Sequence, residues 1–174
     1  MLAMGLLVLG IASRFIVHLP NFTPVISIAL LSGVYIKEKK LALILPVFLL
    51  ILSDLIIGFH DTILFTWGSM ILIALIGRGC RNNKNLKSIL LTSFLSSLLF
   101  FMVTNFGVWF VSGCQGLYPM TTQGLFTCYI AAIPYFRNEL ISTLLYSGVL
   151  YGLYEVIAKR VKNTRFEHIL LSSK

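Results

Sequence analysis

Residues 18–61, HLPNFTPVISIALLSGVYIKEKKLALILPVFLLILSDLIIGFHD, decide the fold. They run from a short polar hinge into an apolar segment, through Lys37, Glu38, Lys39 and Lys40 into a second apolar segment, and end on Asp54, Gly58, His60 and Asp61. Two apolar segments joined by a basic bend read as a membrane hairpin, because lysine collects on one side of a bilayer and ionisable groups are rare within it. The lysines mark one end of the hairpin; Asn21, Thr23, Pro24, Asp54, His60 and Asp61 gather at the other.

The rest of the chain repeats that pattern. Of 174 residues, 57% are apolar and 11% charged, against about a quarter charged in soluble domains. The whole of 1–174 is therefore expected to be one polytopic membrane domain. A helix crosses a hydrocarbon core about 30 Å thick with about 17–25 apolar residues, and the chain divides into such runs over 1–17, 24–36, 41–57, 63–77, 88–111 and 140–158. The predicted fold is an all-α bundle of six transmembrane helices. An extra interfacial or half-inserted helix, within 122–133, precedes the last span. Pro24 suits the first turn of the second segment, and Gly77-Arg78-Gly79 reads as a loop end rather than a dinucleotide fingerprint. The N-terminal run has no basic residue before Arg14, so it lacks the charged start of a cleaved signal and is expected to stay as the first helix.

Lysine and arginine orient the bundle. Twelve of the 14 fall in the 37–40 bend, the 78–87 loop and the 159–174 tail, and only Arg14 and Arg137 lie elsewhere. On the positive-inside rule both termini are cytoplasmic, in a cell inner membrane. The net charge of +8 thus sits at helix ends; without a shared basic face carrying aromatic readers, no nucleic-acid partner is expected. Cys80, Cys114 and Cys128 are too few and scattered for a disulfide framework, although Cys114 and Cys128 share a side and a single bridge stays open.

Ionisable groups at membrane depth normally face a bundle interior or a wet cavity. Arg14, His18, Asp54, His60, Asp61, Arg137 and Glu139 all fall at the level opposite the lysines. The expected substrate-binding set is Arg14, His18, Asn21, Asp54, His60, Asn105, Trp109, Tyr118, Arg137 and Asn138, with Thr23, Tyr129 and Tyr135 beside them, and the loop from His18 to Thr23 as a lid. Mixed apolar walls with a few convergent polar groups are what small-molecule sites use. The structural alternative pairs Arg14 with Asp54 and Arg137 with Glu139, and assigns the rings to the interfacial belt. No metal site, cofactor or catalytic group is expected, since no nucleophile has a partner at working spacing.

Several strings, ASRF with HLPNFTPV, LSDLIIGFHD with WGS, TNFGVW, and AAIPYFRNEL with LLY, resemble a family of small bacterial multi-pass membrane proteins of unknown function, described in general terms as transport proteins. The likeness covers most of 12–154. More distantly, the plan is similar to the S components of energy-coupling factor vitamin transporters. That resemblance implies a pocket near the outer face and, as partner, an energising ABC-type module. S components that dock on such a module carry an Ala-x-x-x-Ala pair on the first helix, whereas Ala3, Gly5, Gly10 and Ala12 lack that spacing.

The expected function is a transport protein or transporter subunit, embedded in the lipid bilayer, that captures a small, vitamin-like solute from the extracytoplasmic side. The alternative is a structural or host-interaction membrane protein without transport activity. A lipid-directed enzyme using His60 and Asp61 as acid and base ranks behind both for want of a nucleophile.

Overall fold

The computed structural model describes residues 19–164, with backbone alone at 114 and 115, together with Gly5, Val8 and Glu167. Apart from Gly5 and Val8, the predicted span 1–17, with Arg14, lies outside the described residues, as does His18. Those residues form five α-helices and no strand: α1 Val25–Tyr35, α2 Lys39–Ile57, α3 Ile63–Gly79, α4 Leu86–Gln115 and α5 Thr122–Val161, with a 3₁₀ turn Cys80–Asn82 after α3. By length and composition α2, α3, α4 and α5 can each cross a membrane.

The four long helices turn apolar side chains outward. Ile56 is 74% exposed, Leu64 75% and Ile130 66%, far more apolar surface than a soluble monomer leaves uncovered. The short helix is the opposite case. All 11 residues of α1 are buried, so the bundle is wrapped around it, and at 1.5 Å per residue it is only about 16 Å long.

Backbone proximity holds α1 against α3. A Cβ on Gly33 would run into the Ala74 carbonyl oxygen, and one on Gly77 into the Leu30 carbonyl oxygen. Gly77 is thus inside α3 and part of a helix contact, which corrects its reading as a loop end. Small residues at such crossings let two backbones touch. At the far end of α1, Arg78 and Arg81 each donate from Nη1 to the carbonyls of Ile36 and Lys37, at 3.2–3.4 Å; cations there complement the helix dipole. Burial and the Arg81 cation push the Lys84 ammonium below its ordinary range, against Glu155, which pulls it up.

Hydroxyls join α1 to α5. Ser147 donates to Ser27 Oγ at 2.9 Å, and Ser27 donates to the Thr143 carbonyl at 2.9 Å. All three residues have no exposed surface. Ser27→Ala is expected to destabilise by about 1–3 kcal/mol, because it strands the Ser147 hydroxyl. The double variant Ser27→Ala/Ser147→Ala should cost less than the sum of the two single changes. Denaturation of the four proteins in one detergent checks this.

The C-terminal half departs from expectation. α4 runs past residue 111 to Gln115 and stops where Gly116 turns left-handed, φ 79°, with its N–H on the Ser112 carbonyl; glycine serves there because it has no Cβ. Thr121 then caps α5 by accepting from the Gly124 N–H at 3.1 Å. From there the backbone is one unbroken helix of 40 residues through Pro134. The separate half-inserted helix is therefore corrected: it and the last span are one element, about 60 Å long. Proline costs an internal helix one hydrogen bond, and the surrounding residues carry the helix across it.

Candidate functional site

A cavity of about 460 Å³ opens at the end of the bundle away from the lysines, within the 300–1,000 Å³ range of small-molecule pockets. Its floor is the start of α1, Val25 and Ile26, with Leu50 of α2. Phe100, Phe101, Thr104, Asn105 and Val108 of α4 form one wall, and Ala132, Tyr135, Phe136 and Glu139 of α5 another. Asn21, Thr23, His60, Thr62 and Thr66 complete the rim. The shortness of α1 makes this space, because the bundle's central helix stops where its neighbours continue.

The 19–23 loop is tied rather than free. Asn138 Nδ2 donates to the Pro20 carbonyl at 3.2 Å, Ser142 Oγ to the Thr23 carbonyl at 3.2 Å, and the Phe22 ring meets Tyr146 edge-on at 6.1 Å. Asn21, at φ 58°, holds a left-handed turn that asparagine tolerates better than most residues.

Of the sequence-predicted set, the structure brings Asn21, His60 and Asn105 to the cavity. His60 sits on the exposed rim, Nδ1 3.0 Å from Thr62 Oγ1. Asn105 Nδ2 returns to the Phe101 carbonyl at 2.8 Å. Asp54 is buried, 1% exposed, and accepts from Trp67 Nε1 at 3.2 Å. Trp109 donates to the Pro119 carbonyl at 3.0 Å and half-buried Tyr118 lies in the same α4–α5 connection, so both pack that turn. Tyr129 donates to the Met102 carbonyl at 2.6 Å, and Cys128 is a free thiol against the Asn105 carbonyl. Asn138 serves the loop, as above.

Arg137 and Glu139 part company. Arg137 is exposed, whereas Glu139 is 5% exposed and lines the cavity. Residues two apart on a helix do not face each other, which counts against the alternative that paired them. Glu139 Oε1 has no hydrogen-bond partner, and neither do the buried hydroxyl oxygens of Ser96, Ser97 and Thr143. Glu139, at this level in the sequence reading yet outside the expected binding set, lines the cavity. Its signal was present in ELISTLLYS: Glu139, Ser142, Thr143 and Ser147 stand at i, i+3, i+4 and i+8, a polar stripe on an apolar helix. Among the described residues no three His, Cys, Asp or Glu cluster as metal ligands.

The model of one family, a family of unknown function (DUF6580), matches residues 1–165. No curated protein and no solved structure matches the chain, so nothing in these comparisons ties it to S components.

Proposed function

The chain belongs to that family of unknown function, and from the cavity it builds we propose that it is a multi-pass membrane protein which captures a small solute from the extracytoplasmic side for transport. The observation that carries this reading is a carboxyl group, 5% exposed and without a hydrogen-bond partner at Oε1, set in the wall of a 460 Å³ cavity. A buried charge is normally paired or neutralised, and a ligand bearing a cationic or hydrogen-bond-donating group would satisfy it. Phe100, Phe101 and Phe136 line the cavity and give the ligand's body an aromatic wall. The solute class that fits is a compact organic molecule with one aromatic or aliphatic portion and one amine-like head.

In this reading the chain crosses an inner membrane six times, with the lysine end and both termini in the cytoplasm. The segment 1–17 supplies the first crossing and α1 to α5 the rest. The cavity then faces out, and its floor lies partway through the bilayer. Irregular backbone at that depth is tolerated only beside protein or water, and the 19–23 loop is tied to α5.

The test is a melting-temperature screen of the purified chain against vitamins, amines and their precursors. At a hundredfold excess over its dissociation constant a true ligand stabilises by about 2.7 kcal/mol, roughly 5–10 °C for a chain of this size. Phe101→Ala should weaken that shift. A panel without any shift, alongside a folded protein, would favour the structural or host-contact role instead. The solute-capture reading does not depend on an ABC-type module as partner.

A further inference from the structure

We propose that Glu139, with the hydroxyls of Ser97 and Thr143, forms a site for a small monovalent cation, a proton or Na⁺, at the wall of the cavity. The inference deepens the solute-capture reading by giving uptake a coupling ion. Three observations carry it. Glu139 Oε1, Ser97 Oγ and Thr143 Oγ1 are each buried without a hydrogen-bond partner. Glu139 and Thr143 stand four apart on α5 and so share one face, while α4 packs antiparallel along α5, with Phe101 on Phe136 at 4.6 Å, which brings Ser97 to the level of Glu139. Oxygen-only donors with one carboxylate match a hard cation rather than a soft metal.

Below this point the polar character continues. Thr143, Ser27 and Ser147 run as a hydrogen-bonded seam between α1 and α5, which ends at Ser147, eight positions or about 12 Å along α5 from Glu139. At the lysine end, Tyr35 Oη donates to Glu155 Oε1 at 3.4 Å. Buried polar groups in membrane spans mark ion or proton routes when they line up in this way. A cation at Glu139 would therefore touch the solute's compartment above and a hydroxyl-lined seam below.

The charged and titratable groups around Glu139 are few. α1 contributes none at this level and α4 none. Asp54, bonded to Trp67, belongs to α2, and His60 and Tyr135 line the same cavity. Arg137, the neighbour on α5, is exposed. His60, Asp54 and Tyr135 are present in both wild type and Glu139→Gln, so the difference between the two proteins reports on Glu139.

The experiment needs no solute. The melting temperature of the full chain in detergent is followed as NaCl replaces choline chloride at constant ionic strength and alkaline pH, then on acidification in choline chloride alone. A saturable rise with Na⁺ that Glu139→Gln abolishes identifies a Na⁺ site. A rise on acidification, larger in wild type than in Glu139→Gln, identifies a proton site. Thr143→Ala should fold and shift the response to higher cation concentration. If neither cation stabilises wild type, or if Glu139→Gln responds as wild type does, the proposal falls. Failure of the solute panel with a cation response intact would sink the solute reading alone, and the converse would sink the coupling site alone.

Discussion

Gly77→Val is expected to leave no folded, monodisperse protein, and Gly33→Val likewise. At both positions the added side chain would meet a carbonyl oxygen of the opposite helix, Leu30 for Gly77 and Ala74 for Gly33. Overpacking against side chains costs about 1–3 kcal/mol because they can rotate away. Helix backbone cannot, so α1 would have to move off α3 as a unit. Every residue of α1 is buried, and that movement opens contacts to each of its neighbours at once. The cost should exceed about 3 kcal/mol. Size-exclusion profile and melting temperature in detergent measure it. Gly152→Ala on α5 is the control: its Cβ would meet nothing within 4 Å, so it should be neutral or slightly stabilising through helix propensity. Native-like stability in Gly77→Val would mean that α1 and α3 do not touch as described, and the cavity floor would go with them.

Glu139→Leu is expected to give a more stable protein that has lost its response to solute and cation. The carboxyl is withdrawn from water and its Oε1 is unsatisfied, so removing it relieves a desolvation cost of about 1–3 kcal/mol. Leucine fills similar volume, and apolar replacement of buried charge is often stabilising. A rise in melting temperature together with a flat ligand and cation titration is the expected pair of results. A fall in melting temperature would show that the carboxyl is satisfied within the fold and belongs to its framework.

Much of the architecture was legible in the residues. The hairpin of 18–61 emerged with α1 and α2 within two residues of their drawn limits, because lysines and proline punctuate it. Asn21, His60 and Asn105, read at one level from their distance to the lysine bends, line one cavity. What stayed hidden was direction around each helix. Arg137 and Glu139 differ by two positions, and only the packing of α5 on α4 tells which of them turns inward. A break is expected between the 122–133 helix and the span 140–158, yet Pro134 does not stop a helix whose next turns are held by α1 and α4. The complete burial of α1 also escaped notice, since an apolar helix looks the same facing lipid or protein.

The shortness of that central helix has an electrical consequence. In the proposed six-span arrangement, with water filling the space above it, the insulating septum between the two aqueous phases is about 16 Å thick at this spot rather than about 30 Å. A given membrane voltage then falls across roughly half the usual distance, nearly doubling the local field. A charge crossing the septum would still do about 2.3 kcal/mol of work per 100 mV, but over only three turns of helix.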